Sequence, residues 1–400
     1  MLFGKILRSP HAHAVIKSID TSAAEALPGV KSVITSADFP DIPQGTGAGD
    51  MTRNVMAVEK ALYDGHPVAA VAATSESIAK KAVKLIKVDY DVLPHVIEPL
   101  EAMKPDAPIL HDYMRTKGDD EAPDAPTNVT EKMVTETGDV DKGFSEADVI
   151  VEHDFDSKPM HQGYIEPQGC IADYSEDGQI ELWCCTQAPF VYRDRLTAIL
   201  KLDSSKINVM QSELGGGFGG KTGFYAEPIA ILLSKKATRP VKIVLTRNEV
   251  FRGTGPVSGT NSTIKMGCTK DGRITAAQAN LVFQTGPFTG SMYFNAPNAM
   301  FTRYDLENVH IVSREVVSNR PKVNSFRAPC VPQIVFGVEG VIDEMARKIG
   351  MDPIDFRLKN AAQDGHTAIY GDTWGPIGFV ETLKAAKECD HYKSPVKEGE

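Results

Sequence analysis

Gly215-Gly216-Gly217-Phe218-Gly219-Gly220-Lys221-Thr222 is the stretch on which the reading of this chain turns. It matches G-x-x-x-x-G-K-[ST], the loop whose backbone N–H groups cradle phosphates while lysine reaches the β- and γ-phosphates and threonine holds magnesium. A strand is predicted before it over 206–211 and a helix after it over 226–237. Two features oppose an ATP- or GTP-binding P-loop at 215–222. Gly223 follows Thr222 directly, so the helix starts only near Tyr225, whereas a P-loop lysine and threonine open their helix. No apolar strand ending in aspartate follows to serve magnesium, because 241–245 runs into Thr246-Arg247. The same letters fit G-x-G-x-x-G, but a dinucleotide site needs an acidic residue about 20 positions on. The chain there reads Lys235-Lys236-Ala237-Thr238. Five glycines around one phenylalanine exceed what a tight turn needs, and they let backbone approach a bulky ligand closely.

Outward from this loop, the 400 residues suggest two or three domains. Hydrophobic residues make up 42% and charged residues 24%, enough apolar content for a sizeable core. A net charge of −10 disfavours non-specific binding to nucleic acid. No apolar run approaches the roughly 18 residues that suggest a membrane span, and 1–8 lacks the pattern of a signal peptide, so a cytoplasmic location is expected. The six cysteines show no C-x-x-C and no cluster spacing. They are expected to be reduced and mostly buried, with no metal held by protein side chains. His11 and His13 alternate on a predicted strand and read as a polar edge rather than a metal pair. Glu166 before Pro167 reads as a structural carboxylate near a turn rather than a general base.

The first ~115 residues read as a small α+β unit. Strands are predicted over 5–8, 14–19, 30–35, 67–73 and 86–90, with a short helix at 23–27 and a longer one at 75–84. Residues 116–148 are expected to be a linker that continues the Pro, Asp, Glu and Gly composition of 103–130. A second α+β unit is expected over 149–390. Its strands are predicted at 149–153, 170–174, 179–185, 206–211, 241–246 and 263–269, and its helices at 190–200, 226–237, 335–349, 353–360 and 379–388. Residues 391–400 read as the start of a further linker.

Three segments in this order, Cys185-Thr186-Gln187-Ala188-Pro189, the glycine loop, and Ser325-Phe326-Arg327-Ala328-Pro329-Cys330, resemble the molybdenum-cofactor subunit of the xanthine dehydrogenase/aldehyde oxidase family. Ile6–Ala14 (ILRSPHAHA), His161-Gln162-Gly163-Tyr164-Ile165-Glu166-Pro167-Gln168 and Gly350-Met351-Asp352-Pro353 extend the resemblance over nearly the whole chain. It implies an α+β fold: a small α/β-hammerhead domain followed by a mixed α+β molybdenum-cofactor domain. It also implies that Gln187 hydrogen-bonds the metal's apical oxo ligand. The backbone of Gly216, Gly217, Phe218 and Gly219 would pass around the pterin, and the amides of Phe218 and Arg327 would face the metal's ligands. The molybdenum itself would be held by pterin sulfurs, and the protein would supply hydrogen bonds and shape.

Where purine-oxidising members carry a glutamate, an arginine and a stacking aromatic, this chain has Thr222, Asn295 and Pro329. Xanthine is therefore not the expected substrate. The resemblance implies hydroxylation, with water as oxygen source, of a small-molecule aldehyde, N-heteroaromatic or aromatic thioester carbon. The expected cofactor form is molybdopterin cytosine dinucleotide. [2Fe–2S] clusters and FAD would sit on an iron–sulfur subunit and an FAD subunit. The family's base, a C-terminal glutamate, lies in a second molybdopterin-binding domain that this chain does not reach. A second polypeptide or a longer version of this chain would supply it, and the chain alone should be inactive.

Overall fold

The computed structural model describes residues 1–394. The N-terminal part gives strands β1 (Leu2–Arg8), β2 (Ala14–Asp20), β3 (Val30–Thr35), β4 (Lys60–Ala61), β5 (Pro67–Ala73) and β6 (Lys87–Val92). There follow β7 (Val129–Thr137), β8 (Val149–Ser157), β9 (Gly169–Tyr174), β10 (Ile180–Cys184), β11 (Ile207–Gln211) and β12 (Val241–Val244). The last are β13 (Thr260–Cys268), β14 (Ile274–Gly286) and β15 (Val309–Val317). They form a seven-stranded sheet in the order β11-β10-β9-β12-β1-β5-β3, a five-stranded sheet β7-β15-β14-β13-β8, and a small sheet β4-β2-β6.

The mixed α+β class is as expected. The seven-stranded sheet draws strands from both units expected from the sequence, because β1 pairs parallel with β12 as well as antiparallel with β5. β5 (PVAAVAA) is buried at every position, as a continuous apolar run flanked by strands on both sides, β1 and β3, should be. The Glu227–Ala237 helix is apolar nearly all round and buried from Glu227 to Ser234. It ties the two halves together: Ser32 Oγ donates to Leu233 O (3.0 Å) and Tyr174 N–H donates to Ser234 Oγ (2.9 Å).

The five-stranded sheet is covered by the Val331–Ile349 helix. Its buried Ile334, Val338, Val341, Ile342 and Met345 recur at helical spacing. The helix ends at Gly350, whose φ of +71° is a left-handed cap that glycine adopts at little cost.

Two expectations need correction. Residues 116–148, read as a linker, contain β7, which pairs with β15 through Thr137↔Val309 to Val129↔Val316, and the Val140–Ser145 helix. The proline-rich composition just upstream masked a strand whose partner lies more than a hundred residues away. Of residues 391–400, read as the start of a linker, the first three lie in a short helix, Asp390–Lys393, and 395–400 lie outside the described residues.

Candidate cofactor site

β10 and β11 run parallel at the sheet edge with Cys184 opposite Gln211, so the segments leaving their carboxyl ends emerge side by side. The segment after β10 carries Gln187, and the segment after β11 becomes the glycine loop. They are laced together. Gln187 N–H donates to Lys221 O (3.0 Å), and Gln187 Oε1 accepts from the N–H groups of Gly219 (2.9 Å) and Lys221 (3.2 Å). With Oε1 doubly engaged the amide orientation is fixed. Nε2 is left as a donor on an exposed side chain, with no protein acceptor among the described residues.

The third segment closes on the same loop. Arg327 N–H donates to Phe218 O (2.9 Å), and Asn324 Nδ2 donates to Gly220 O (3.1 Å). A Cβ on Gly219, whose φ is +98°, would stand 2.8 Å from Ser325 Cβ, so only glycine lets the two loops touch. The buried Gln162 braces them from below, with Nε2 donating to Ser325 O (2.7 Å) and Gly255 O (3.1 Å). Glu227 fixes the loop's exit by accepting from the N–H groups of Tyr225 (2.8 Å) and Ala226 (3.0 Å).

Among the described residues six non-glycines have positive φ. Lys201 and Thr238 are helix C-caps. The other four, Phe218, Arg327, Ala328 and Cys330, all lie in the two facing loops. Such residues cost of order 1–3 kcal/mol each and persist where the surroundings over-determine them, commonly at functional sites. The N–H groups of Gly216, Gly217 and Phe218 donate to no protein acceptor among the described residues. Three successive backbone amides without a protein acceptor, beside the free Nε2 of Gln187, are donors available to the acceptor atoms of a ligand. The residues present therefore suit a large, acceptor-rich group laid against backbone, as the pterin cofactor is.

Of the residues the sequence pointed to, Gln187, Gly216, Gly217, Phe218, Gly219 and Arg327 come together here. Arg327 does so differently from expectation: its amide is taken up by Phe218 O, while the Phe218 amide is free. Thr222 and Pro329 line one cavity of about 360 Å³ behind the loops. Asn295 does not line it; the residue opens the Asn295–Met300 helix, and Nδ2 rests 3.6 Å from Met292 Sδ. Sequence reading gave no role to Gln162 or Asn324, although both stand inside or beside segments it had singled out.

The P-loop alternative fails on Lys221. Its side chain is fully buried, turned inward to an ion pair with Glu166 Oε2 (2.5 Å) and lying over the Tyr164 ring (5.0 Å). An ammonium so placed is committed beneath the loop and not offered to a phosphate above it. Thr222 Oγ1 lies 2.7 Å from Gly219 O and 3.0 Å from Asn324 Oδ1, so the hydroxyl proton is used within the loop.

Glu166 is structural, as the sequence suggested, and it also accepts from Gly215 N–H (2.9 Å). Partial burial pushes its carboxyl up, but the Lys221 and Gly215 hydrogen bonds outweigh this and hold it below the usual carboxylate range. A depressed native value contributes stability that is present above the unfolded value and lost as pH falls through the native one. Acid titration of stability below about pH 4.5 should therefore be shallower in Glu166→Gln than in the wild type. Identical acid limbs in chemical denaturation would remove Glu166 from this role.

The remaining candidates are quiet. His13 Nδ1 lies 2.7 Å from Pro94 O, and no group of three metal-ligating side chains occurs among the described residues. Cys389 is exposed and the other five cysteines are buried, and burial pushes the thiols of Cys170, Cys184 and Cys185 up.

Comparison with known proteins agrees with this geometry. Residues 122–361 match the molybdopterin cofactor-binding domain, and residues 1–94 match the a/b hammerhead domain of aldehyde oxidase and xanthine dehydrogenase. The chain is 34% identical to the carbon monoxide dehydrogenase large chain of Afipia carboxidovorans, over 91% of this chain and 46% of that one. It is 30% identical to the nicotinate dehydrogenase large molybdopterin subunit of Eubacterium barkeri, over 97% of this chain and 89% of that one. Among solved structures, the aldehyde oxidoreductase from Desulfovibrio gigas superposes with a TM-score of 0.87 at 26% identity, covering 97% of this chain and 43% of that one. The chain thus spans about half the length of the carbon monoxide dehydrogenase relative and most of the nicotinate dehydrogenase subunit.

Proposed function

Because the chain belongs to the aldehyde oxidase and xanthine dehydrogenase family of molybdenum-dependent oxidoreductases, we propose that it forms one half of a molybdenum hydroxylase active site. The observation that carries this is the loop pair, in which the fixed Gln187 amide, the free N–H groups of 216–218 and the strained 327–330 turn converge. When bound, a molybdenum–pterin group, in the cytosine dinucleotide form, would supply the two-electron redox centre. This chain's share is to hold and shape. Gln187 Nε2 donates to an acceptor atom of the group. The amides of Gly216, Gly217 and Phe218 line its edge, Gly217 leaves room for the Gln187 amide, and Gly219 lets the facing loop close against Ser325. Thr222 and Pro329 bound the space for the reacting substrate.

The substrate class is an aldehyde, N-heteroaromatic or aromatic thioester carbon, hydroxylated with oxygen from water. Electrons would leave through [2Fe–2S] and FAD on partner subunits. The general base and the rest of the cofactor's enclosure would come from a second molybdopterin-binding polypeptide or a continuation of this one. The face around the loops supports that. Ile165, Phe190 and Phe336 are 89%, 71% and 71% exposed, and Phe336 borders an apolar groove with Phe155, Met160 and Phe326. Solvent-facing apolar patches of this kind mark interaction surfaces. No helix among the described residues is long and apolar enough to cross a membrane.

The test is metal analysis with mass spectrometry on the complex isolated through this chain from its host. The expected result is about one molybdenum per copy, together with an iron–sulfur polypeptide. A complex without molybdenum that carries nucleotide and magnesium would overturn the proposal.

A further inference from the structure

The cavity bounded by Thr222 and Pro329 has an unusual charge. The chain is acidic overall, yet this cavity is lined by two cations, Lys322 and Arg195, and by no aspartate or glutamate. Among the described residues neither cation has a carboxylate within 4 Å, unlike Lys221, Arg252 or Arg357. Arg195 Nη1 donates to Thr222 O (3.1 Å), which holds it at the glycine loop. Lys322 Nζ donates to Gly290 O (3.0 Å) and lies 3.4 Å from Thr285 Oγ1. An ammonium has three N–H donors, so one remains for a ligand.

The nearest buried acid, Glu315, is already occupied. It accepts from Thr130 Oγ1 (2.9 Å) and from the N–H groups of Gly290 (3.0 Å) and Ser291 (2.5 Å). Lys322 also borders a second cavity of about 370 Å³, which shares Gly47, Met51, Asn54 and Thr289 with the first. Its ammonium therefore stands where the two spaces meet.

We infer that this cavity takes a substrate bearing a carboxylate, held by the Lys322 ammonium, with Arg195 as a second cation on the loop side. A low-dielectric wall with unpaired positive charge concentrates anions and rejects cations. The half-buried Lys322 offers one free N–H and the exposed Arg195 guanidinium lies on the loop side, a pair that matches the two oxygens of a carboxylate. Burial and Arg195 push Lys322 down to about 8 against the pull of Glu315, so the amine is largely charged at neutral pH and a bound carboxylate would stabilise that form. The charged groups facing it are Glu315 on β15, Arg195 on the Pro189–Leu200 helix and, across the second cavity, Asp50 on the Gly47–Val55 helix with Arg115 and Lys117.

The inference rests on the proposed function only in taking this cavity as the reacting space, and binding tests it separately. Benzoate and its neutral counterpart benzamide would be titrated calorimetrically into the intact complex, as wild type, Lys322→Met and Arg195→Gln. Wild type should prefer benzoate by about tenfold or more, the scale of one charge-assisted hydrogen bond. Lys322→Met should abolish the preference while benzamide binding stays within about twofold, and Arg195→Gln should reduce it less. Equal affinities in the wild type, or a preference that survives Lys322→Met, would overturn the assignment. If Lys322→Met fails to accumulate, the wild-type preference should fall as pH rises through about 8; a preference independent of pH from 7 to 9 overturns it. The molybdenum content of the wild-type complex, read in parallel, bears on the proposed function alone.

Discussion

Gly217→Val is expected to lower bound molybdenum by at least about tenfold while leaving the fold in place. Even the first carbon of a side chain at 217 would stand 2.5 Å from Gln187 Oε1 and 2.8 Å from Cδ, so Gln187 must leave its position. That releases its hydrogen bonds from the Gly219 and Lys221 amides, worth about 1 kcal/mol each. It also points an isopropyl group at the cradle, an overpacking cost of about 1–3 kcal/mol. Each 1.4 kcal/mol that falls on cofactor affinity is tenfold. Gly375→Ala is the control, because a Cβ there meets nothing within 4 Å. Molybdenum per complex and far-ultraviolet dichroism are the readouts. A Gly217→Val complex with a full complement of metal would show that the loop does not shape the site.

Lys221→Met should instead act on stability, at about 3 kcal/mol. Removing one partner of a buried pair costs about 3–5 kcal/mol because the other charge is left uncompensated. The lower end applies because Glu166 is partly exposed and keeps the Gly215 N–H. The urea midpoint should drop, and adding Glu166→Gln should return part of the loss, since the stranded charge is then gone. The same variant separates this reading from a phosphate-binding loop, in which the lysine would be exposed and its loss would cost ligand rather than stability. An unchanged midpoint would sink the buried-pair account.

What the sequence revealed and what it hid divide along physical lines. Strands with clear apolar runs, such as β5 and β12, were legible, and so was the Glu227–Ala237 helix with proline in its first turn. The Gly47–Val55 helix was not. Its sequence GAGDMTRNV opens on two glycines, which disfavour helix, and it forms because Thr46 caps it and its buried face packs on the Pro189–Leu200 helix. β7 and β15 were missed because β7 is an edge strand whose partner β15 is distant in sequence, β15 in turn lies between β7 and β14, and local pattern carries no register information.

In the site, the glycine loop, Gln187 and Arg327 were found by motif. The direction of Lys221 was not, since a lysine after glycines reads the same whether it turns inward or outward. Lys322 and Arg195 gave no sequence signal. Neither belongs to a motif, and what distinguishes them is the lack of a carboxylate neighbour, a property of three-dimensional arrangement.

The parallel pairing of β1 with β12 bears on how the chain is made. A ribosome adds about 5–20 residues per second. Leu2 and Phe3 find Val241 and Lys242 only after about 240 more residues have emerged, a delay of roughly 12–48 s. β5 can zip onto one side of β1 early, but the other edge stands open throughout that interval, and open strand edges invite pairing with foreign chains. Production of this protein should therefore be limited less by its final stability than by how well that edge is sheltered during synthesis.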